Sequence, residues 1–244
     1  MSTLIVSLNA EQVGTLGEDS GGSLRFSYDR AWLKKPDAIP LSRSLPLRDE
    51  VFSGNKARAF FAGILPEEEP RRQVARILGI SAANDFAMLA EIGGECAGAV
   101  SLLPEGDDIP VAKKPGFIEL TEPELQQIIA ELPRRPLMVG RDGLRLSLAG
   151  AQDKLPVIVH EDRICLPLEG TPSTHILKPE PDRFPGLAVN ELFCMTLAGA
   201  VGLNVPHIDY RQAGEKACVL VKRYDRMTDE NESTSRVHQE DFCQ

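Results

Sequence analysis

Lys178 and Glu191 stand thirteen positions apart. The lysine closes the apolar run His175-Ile176-Leu177-Lys178, and the glutamate is set among Val189, Leu192 and Phe193. A strand of that kind presents its terminal lysine inward, and a carboxylate next to buried surface rarely stands unpaired. An ion pair between the two would serve phosphoryl transfer, where a lysine holds the α- and β-phosphates of a nucleotide and a helix-borne glutamate clamps it. Spacing alone favours the plainer alternative, two unrelated solvated charges. Upstream, Ser147-Leu148-Ala149-Gly150-Ala151-Gln152-Asp153-Lys154 is built from small residues that let backbone N–H groups approach phosphate oxygens, with Lys154 adding charge. It has one glycine, is neither a Walker A nor a G-x-G-x-x-G loop, and by itself would pass as a plain β-turn. Downstream, Cys218 to Val221 breaks into Lys222-Arg223-Tyr224-Asp225-Arg226. Such a hinge can offer backbone groups to an adenine edge, although a simple strand end is the commoner case.

The elements around these residues follow from periodicity. Leu4, Val6 and Leu8 alternate, Asn9-Ala10 turns, Val13 to Leu16 returns, and Leu24, Phe26 and Tyr28 form a third run, which predicts a small antiparallel sheet. An irregular stretch through Pro36, Pro40 and Pro46 follows. Helices are predicted at Ala57 to Ile64, at Arg71 to Leu78 closed by Gly79, and at Ala83 to Ile92, where Gly93-Gly94 can provide a left-handed cap. Ala97 to Leu103 reads as a strand and residues 104–108 as a boundary. Thr121-Glu122-Pro123-Glu124 is a capping box, and Leu125, Ile128, Ile129 and Leu132 mark the buried face of its helix. From Gly140, Leu144, Leu146 and Leu148 alternate. Val157 to Val159, Arg163 to Leu166 and Thr174 to Lys178 read as strands, Leu187 to Val201 as one buried helix, and His207 to Arg211 with Cys218 to Val221 as a hairpin. Met227 to Ser235 is polar and reads as a mobile loop. The expected class is α+β: an N-terminal antiparallel sheet with helices over 1–108, a linker with one amphipathic helix over 109–139, and a protein-kinase-like small lobe over 140–244.

Composition narrows the function. The 244 residues carry a net charge of -9, which disfavours direct contact with nucleic acid or an anionic membrane. Docking onto a basic protein stays compatible with that charge. Cys96, Cys165, Cys194, Cys218 and Cys243 form no C-x-x-C pair, and His160, His175, His207 and His238 show no metal-ligand spacing. No basic-then-apolar leader is visible, and the longest uncharged stretch, Leu192 to Ile208, falls short of a membrane span. The reading is a cytoplasmic protein without a membrane partner.

The runs RLSLAGAQDKLPV, TPSTHILKPE, NELFCMTLAGAVGLNVP, VKRYDR and QEDFCQ, in that order, resemble the HipA family of serine/threonine kinase toxins. YDRAWL, SRSLPL and FFAGILPE resemble that family's N-terminal accessory domain, so the resemblance extends over essentially the whole chain. It implies that Ala149, Gly150, Ala151, Gln152, Asp153 and Lys154 cover the phosphates of ATP, that Lys178 holds them, and that Lys222, Arg223 and Tyr224 form the adenine hinge. It also implies that Ser147 is the serine whose phosphorylation pulls the loop out, since nearly two added negative charges cannot stay beside ATP phosphates. Glu191 sits where the clamping glutamate is expected.

The resemblance further implies ATP and Mg²⁺ as cofactors and a HipB-like helix-turn-helix antitoxin as partner, with operator DNA reached only through that antitoxin. The substrate it implies is a translation protein such as an aminoacyl-tRNA synthetase, phosphorylated to arrest growth. Nothing between Met1 and Gln244 matches the family's catalytic or metal-binding aspartate, so this chain alone is expected to transfer no phosphate. The alternative is a non-catalytic module that binds an antitoxin or a separate kinase subunit.

Overall fold

The computed structural model of the chain describes residues 2–107, 116–141, 143–168, 170–229 and 234–241. Strands β1 (Thr3–Leu8) and β2 (Glu11–Glu18) form a hairpin in which Asn9 and Ala10 take φ of 49° and 68°, the left-handed pair that matches strand twist in a two-residue turn. β3 (Leu24–Tyr28), helix α1 (Arg30–Leu33) and the short β4 (Phe52–Ser53) follow. Helices α2 (Asn55–Gly63), α3 (Glu68–Leu78) and α4 (Asp85–Ile92) then lead to β5 (Val100–Pro104). The sheet is antiparallel in the order β4-β3-β2-β1-β5. Alternation along β1 and β3 buries Leu4, Val6, Leu24 and Phe26, and Phe26 meets Tyr28, Phe52 and Phe61 with ring centroids 4.8, 6.3 and 5.4 Å away.

The glycine after α3 behaves as expected: Gly79 sits at φ 68° and closes the helix. The glycine after α4 does not. Gly93 has φ -74°, and its lack of a side chain serves space rather than handedness: a Cβ there would lie 2.5 Å from the Leu89 carbonyl oxygen, and one on Gly94 would lie 2.7 Å from Arg145 Cβ. Arg71, at the start of the predicted helix, makes buried contacts. It is mostly covered and donates to the buried Asp85 carboxylate and, at 2.7 Å, to the Ala82 carbonyl; Arg72 remains exposed.

The second half begins with β6 (Gly116–Glu119), in a stretch that reads as linker from sequence. Helix α5 (Glu122–Glu131) comes next, with the Thr121 amide donating to Glu124 at 2.8 Å as the capping box requires, and then a 3₁₀ turn at Pro136–Met138. The expected boundary at 104–108 continues into residues 108–115, which lie outside the described residues. β7 (Leu155–His160), β8 (Arg163–Leu168), β9 (His175–Pro179), helix α6 (Leu187–Ala200), β10 (Ile208–Ala213) and β11 (Lys216–Lys222) build a six-stranded sheet in the order β10-β11-β9-β7-β8-β6. The single helix before the last two strands is the expected small-lobe layout, and β6 adds an edge strand to it.

Three further expectations change. Leu144, Leu146 and Leu148 are buried but form no strand of this sheet. The segment runs extended against the first half, with bridges from Leu146 to Glu95 and from Gly150 to Pro66. Helix α6 is not buried: of its side chains only Ala188 is fully covered, while Val189, Phe193 and Leu197 are exposed. A helix apolar on every face shows no stripe from which the covered side could be read. The segment expected to be a mobile loop instead contains β12 (Arg226–Thr228) and β13 (Thr234–Arg236), which pair with each other.

One hydrophobic core runs through both halves, from Leu4 and Phe26 through Leu89, Ile128 and Leu146 to Leu177 and Leu220. A small second cluster, Ala188 with Val219 and Val221, lies beneath α6.

Candidate nucleotide-binding site

Strand parity places the lysine. On β9, Leu177 points into the main core opposite Leu220, so Lys178, opposite Val219, points to the face covered by α6. On α6, Ala188 and Leu192 pack onto Val219 and Val221, which turns Glu191 to the same side. The two meet: Lys178 Nζ is 2.5 Å from Glu191 Oε1, with about a fifth of each side chain exposed. Glu180, two residues beyond the lysine, accepts a 3.2 Å bond from the Ala188 amide, which fastens the first turn of α6 to the end of β9.

The loop from Ser147 to Lys154 is fixed by the first half of the chain at Ser147 and at Gly150. Ser147 is fully buried; its amide donates to the Glu95 carbonyl at 2.8 Å and its hydroxyl to the Ile64 carbonyl at 2.7 Å. The Glu67 amide reaches the Gly150 carbonyl at 3.3 Å. Gly150 takes φ 101°, so the backbone calls for glycine; a Cβ there would come 2.5 Å from Lys154 Nζ, which would have to move aside. Lys154 folds back to donate to the Ala149 carbonyl at 2.5 Å. Burial, and then repulsion from Lys178, bring its ammonium down to about 8; burial pushes Asp153 up. Ala149, Gly150, Ala151, Gln152 and Asp153 complete this turn, and Lys154 at its end lies close enough to Lys178 and Glu191 to feel both charges.

The hinge residues divide. Lys222 and the ring of Tyr224 are exposed, and the Lys222 and Arg223 amides donate to the His207 and Thr174 carbonyls at 2.8 and 2.9 Å. The Arg223 side chain turns away from the cleft into a buried group of charges. Glu95 Oε1 accepts from the Ser173 amide at 3.0 Å, the Ser173 hydroxyl at 2.7 Å, Arg223 at 3.3 Å and Arg226 at 3.0 Å. Asp225 takes both ends of the Arg223 guanidinium at 2.9 and 2.7 Å and the Gly98 amide at 2.7 Å. Burial acts to raise the Glu95 carboxyl, but Arg236, Arg223 and Arg226 together hold it below the usual carboxylate range. Sequence reasoning missed Glu95. Its signal was a lone charge within Ile92-Gly93-Gly94-Glu95-Cys96-Ala97-Gly98-Ala99-Val100, where a carboxylate has no reason to sit unless paired.

The donor set suits a triphosphate: two lysines near enough to repel each other, beside a loop of small residues. No three His, Cys, Asp or Glu side chains converge into a group that could hold a metal ion among the described residues. Among those residues no helix is long and apolar enough to cross a membrane.

Residues 4–103 match the HipA N-terminal domain and residues 146–244 the HipA-like C-terminal domain. Protein Y4mE of Sinorhizobium fredii is 47% identical over 95% of this chain, and the serine/threonine-protein kinase toxin HipA of Shewanella oneidensis is 31% identical over 99%. The chain spans only 56% and 54% of their lengths. A HipA structure from Shewanella oneidensis MR-1, solved with HipB and its operator DNA, superposes with a TM-score of 0.78 at 28% identity over 96% of this chain and 54% of that one. With both domains present in order and the same fold in a HipA structure, the chain belongs to the HipA family.

Proposed function

We propose that this chain is the ATP-binding part of a HipA-type serine/threonine kinase, with the phosphates seated between the Ser147–Lys154 loop and Lys178. The observation that carries this reading is the Lys178–Glu191 contact at 2.5 Å, formed between a sheet strand and the helix beside it. ATP would supply the transferable phosphoryl group. Lys178 would neutralise phosphate oxygens, Glu191 would keep its ammonium aimed into the cleft, and loop amides would donate to the γ-side oxygens. Lys154 would exchange the Ala149 carbonyl for a phosphate oxygen, a stronger, charge-assisted acceptor.

Mg²⁺, a catalytic aspartate and the protein substrate, which we take to be a translation protein such as an aminoacyl-tRNA synthetase, belong to the half that the relatives carry beyond the matched region. A HipB-like antitoxin is the proposed partner, supported by the HipA–HipB–DNA assembly of the Shewanella relative. Operator DNA would be reached through it, which suits a chain of net charge -9. The free cysteines Cys96, Cys165, Cys194 and Cys218 suit a reducing, cytoplasmic setting.

Calorimetric titration of the chain with ATP tests the reading. Lys178→Met should weaken ATP by more than about tenfold, and Glu191→Gln by less. ATP affinity left unchanged by Lys178→Met would remove this site as the phosphate seat and leave the non-catalytic, partner-binding module as the surviving description.

A further inference from the structure

The side chains of the buried charges behind the hinge face one another, while the Glu95 backbone carbonyl separately holds the Ser147 amide at 2.8 Å. Glu95, Arg223, Asp225 and Arg226 each have side chains no more than 6% exposed, and they join three separate parts of the chain. Glu95 and Gly98 come from the segment between α4 and β5. Ser173 precedes the strand that carries Lys178. Arg223, Asp225 and Arg226 surround Tyr224 in the hinge. Besides the carboxylate contacts, Arg223 donates to the Cys96 carbonyl at 3.3 Å, and Arg226 donates to the Ser173 and Gly98 carbonyls, each at 3.0 Å. Every polar end of both guanidiniums is thus turned to the first half of the chain, to Asp225 or to Ser173.

Such a group is a poor source of stability. Four charges taken out of water lose their hydration, and well-packed apolar side chains of similar volume commonly do as well or better. What ions give that apolar contacts do not is direction: a bidentate Arg–carboxylate pair holds one geometry within a few tenths of an ångström. The geometry held here is that of the hinge backbone relative to β9. The Arg223 amide already donates to the Thr174 carbonyl at 2.9 Å, and the charges lock the same residue from behind.

We infer that Glu95 is a positioning residue of the adenine subsite: through Arg223 and Arg226 it fixes the hinge backbone at the distance from Lys178 that lets adenine and phosphates be held together. This rests on the ATP reading above. It assigns to the first half of the chain a direct share in nucleotide selection, beside its hold on the phosphate loop.

The experiment compares two ligands on the whole chain. ATP uses hinge and phosphate seat together, whereas inorganic tripolyphosphate uses the phosphate seat alone. Glu95→Gln keeps an oxygen acceptor for Ser173 and removes the charge that balances the arginines. ATP affinity should fall by about tenfold or more while tripolyphosphate affinity stays within about twofold. Glu95→Asp, which restores the charge on a shorter stem, should recover part of the ATP preference. Ser173→Ala, which removes one donor to Glu95 and one acceptor from Arg223, should shift the same ratio in the same direction; it carries the test if Glu95→Gln does not fold. Parallel loss of both ligands, or loss of neither, would overturn the inference. A wild-type chain that binds ATP no more tightly than tripolyphosphate would instead defeat the ATP reading, before any variant is made.

Discussion

The Ser147 hydroxyl donates to the Ile64 carbonyl at 2.7 Å, from a side chain with no solvent exposure. A serine held this way cannot receive a phosphate without first leaving its partner. Ser147→Ala should lower stability by about 1 kcal/mol, the usual net contribution of a buried hydrogen bond, and leave the loop in place. Ser147→Asp should do far more. It forces a carboxylate against a carbonyl oxygen, so the loop should open and ATP affinity should collapse. Hydrogen exchange of the Ser147–Lys154 amides would check both, and full protection in Ser147→Asp would contradict the latch.

Lys154 gives a pH signature. Its ammonium is held down to about 8 in the free chain by burial and by Lys178, and a polyanion favours the protonated form. The Lys154 contribution to triphosphate affinity should therefore be constant below about pH 8 and fall as pH rises through it, where an ordinary lysine would still be fully charged. Lys154→Arg should abolish that fall. Titrations at several pH values up to about 9.5 would measure it.

The loop's one glycine should tolerate no side chain. At φ 101°, Gly150→Ala places a Cβ in a region L-residues rarely adopt and against the Lys154 ammonium. The lysine end can swing aside, whereas the backbone cannot. The expected loss is about 1–3 kcal/mol of stability together with weaker ATP binding, read by thermal melting and calorimetry. An alanine variant that binds and melts like wild type would show that this turn is not held in its observed shape.

The sequence offered the Lys178–Glu191 pair as a candidate because both residues interrupt apolar runs, but spacing alone favoured two unrelated solvated charges, and only the fold brings them together. The sequence did reveal the N-terminal sheet, whose alternation is clean and whose turns carry left-handed residues. It did not reveal the charge group behind the hinge. Glu95 and Arg223 are 128 positions apart, and a guanidinium near a strand end reads as solvated until the opposing carboxylate is placed. The exposure of α6 was hidden for the opposite reason: Val189, Phe193 and Leu197 are apolar, and only tertiary packing says which side of a uniformly apolar helix is covered. β6 was too short and too mixed for a period-2 pattern to stand out.

The antitoxin proposal has a surface test. Since one core joins both halves of the chain, a fragment starting near Gly140 would lose packing along with any contact and could not discriminate. Charge reversal at the exposed Arg72, and separately a substitution of the exposed Pro36, change no core side chain, whereas Pro40 and Pro46 flank the buried Leu41 and Leu45. If the N-terminal half forms the contact, these changes should weaken co-purification with a HipB-like antitoxin encoded beside this chain while ATP binding is kept. Undiminished capture by both variants would move the contact elsewhere.

The continuity of the core also bears on how such chains can diverge. Leu146 and Ser147 lean on residues 64 and 95, and Leu89 belongs to the same packed body as Leu177 and Leu220. A recombination event that joined the first hundred residues of one relative to the remainder of another would bring together side chains never selected to fit. Such a chimaera is expected to fold less stably than either parent, even though each family domain is recognisable by itself.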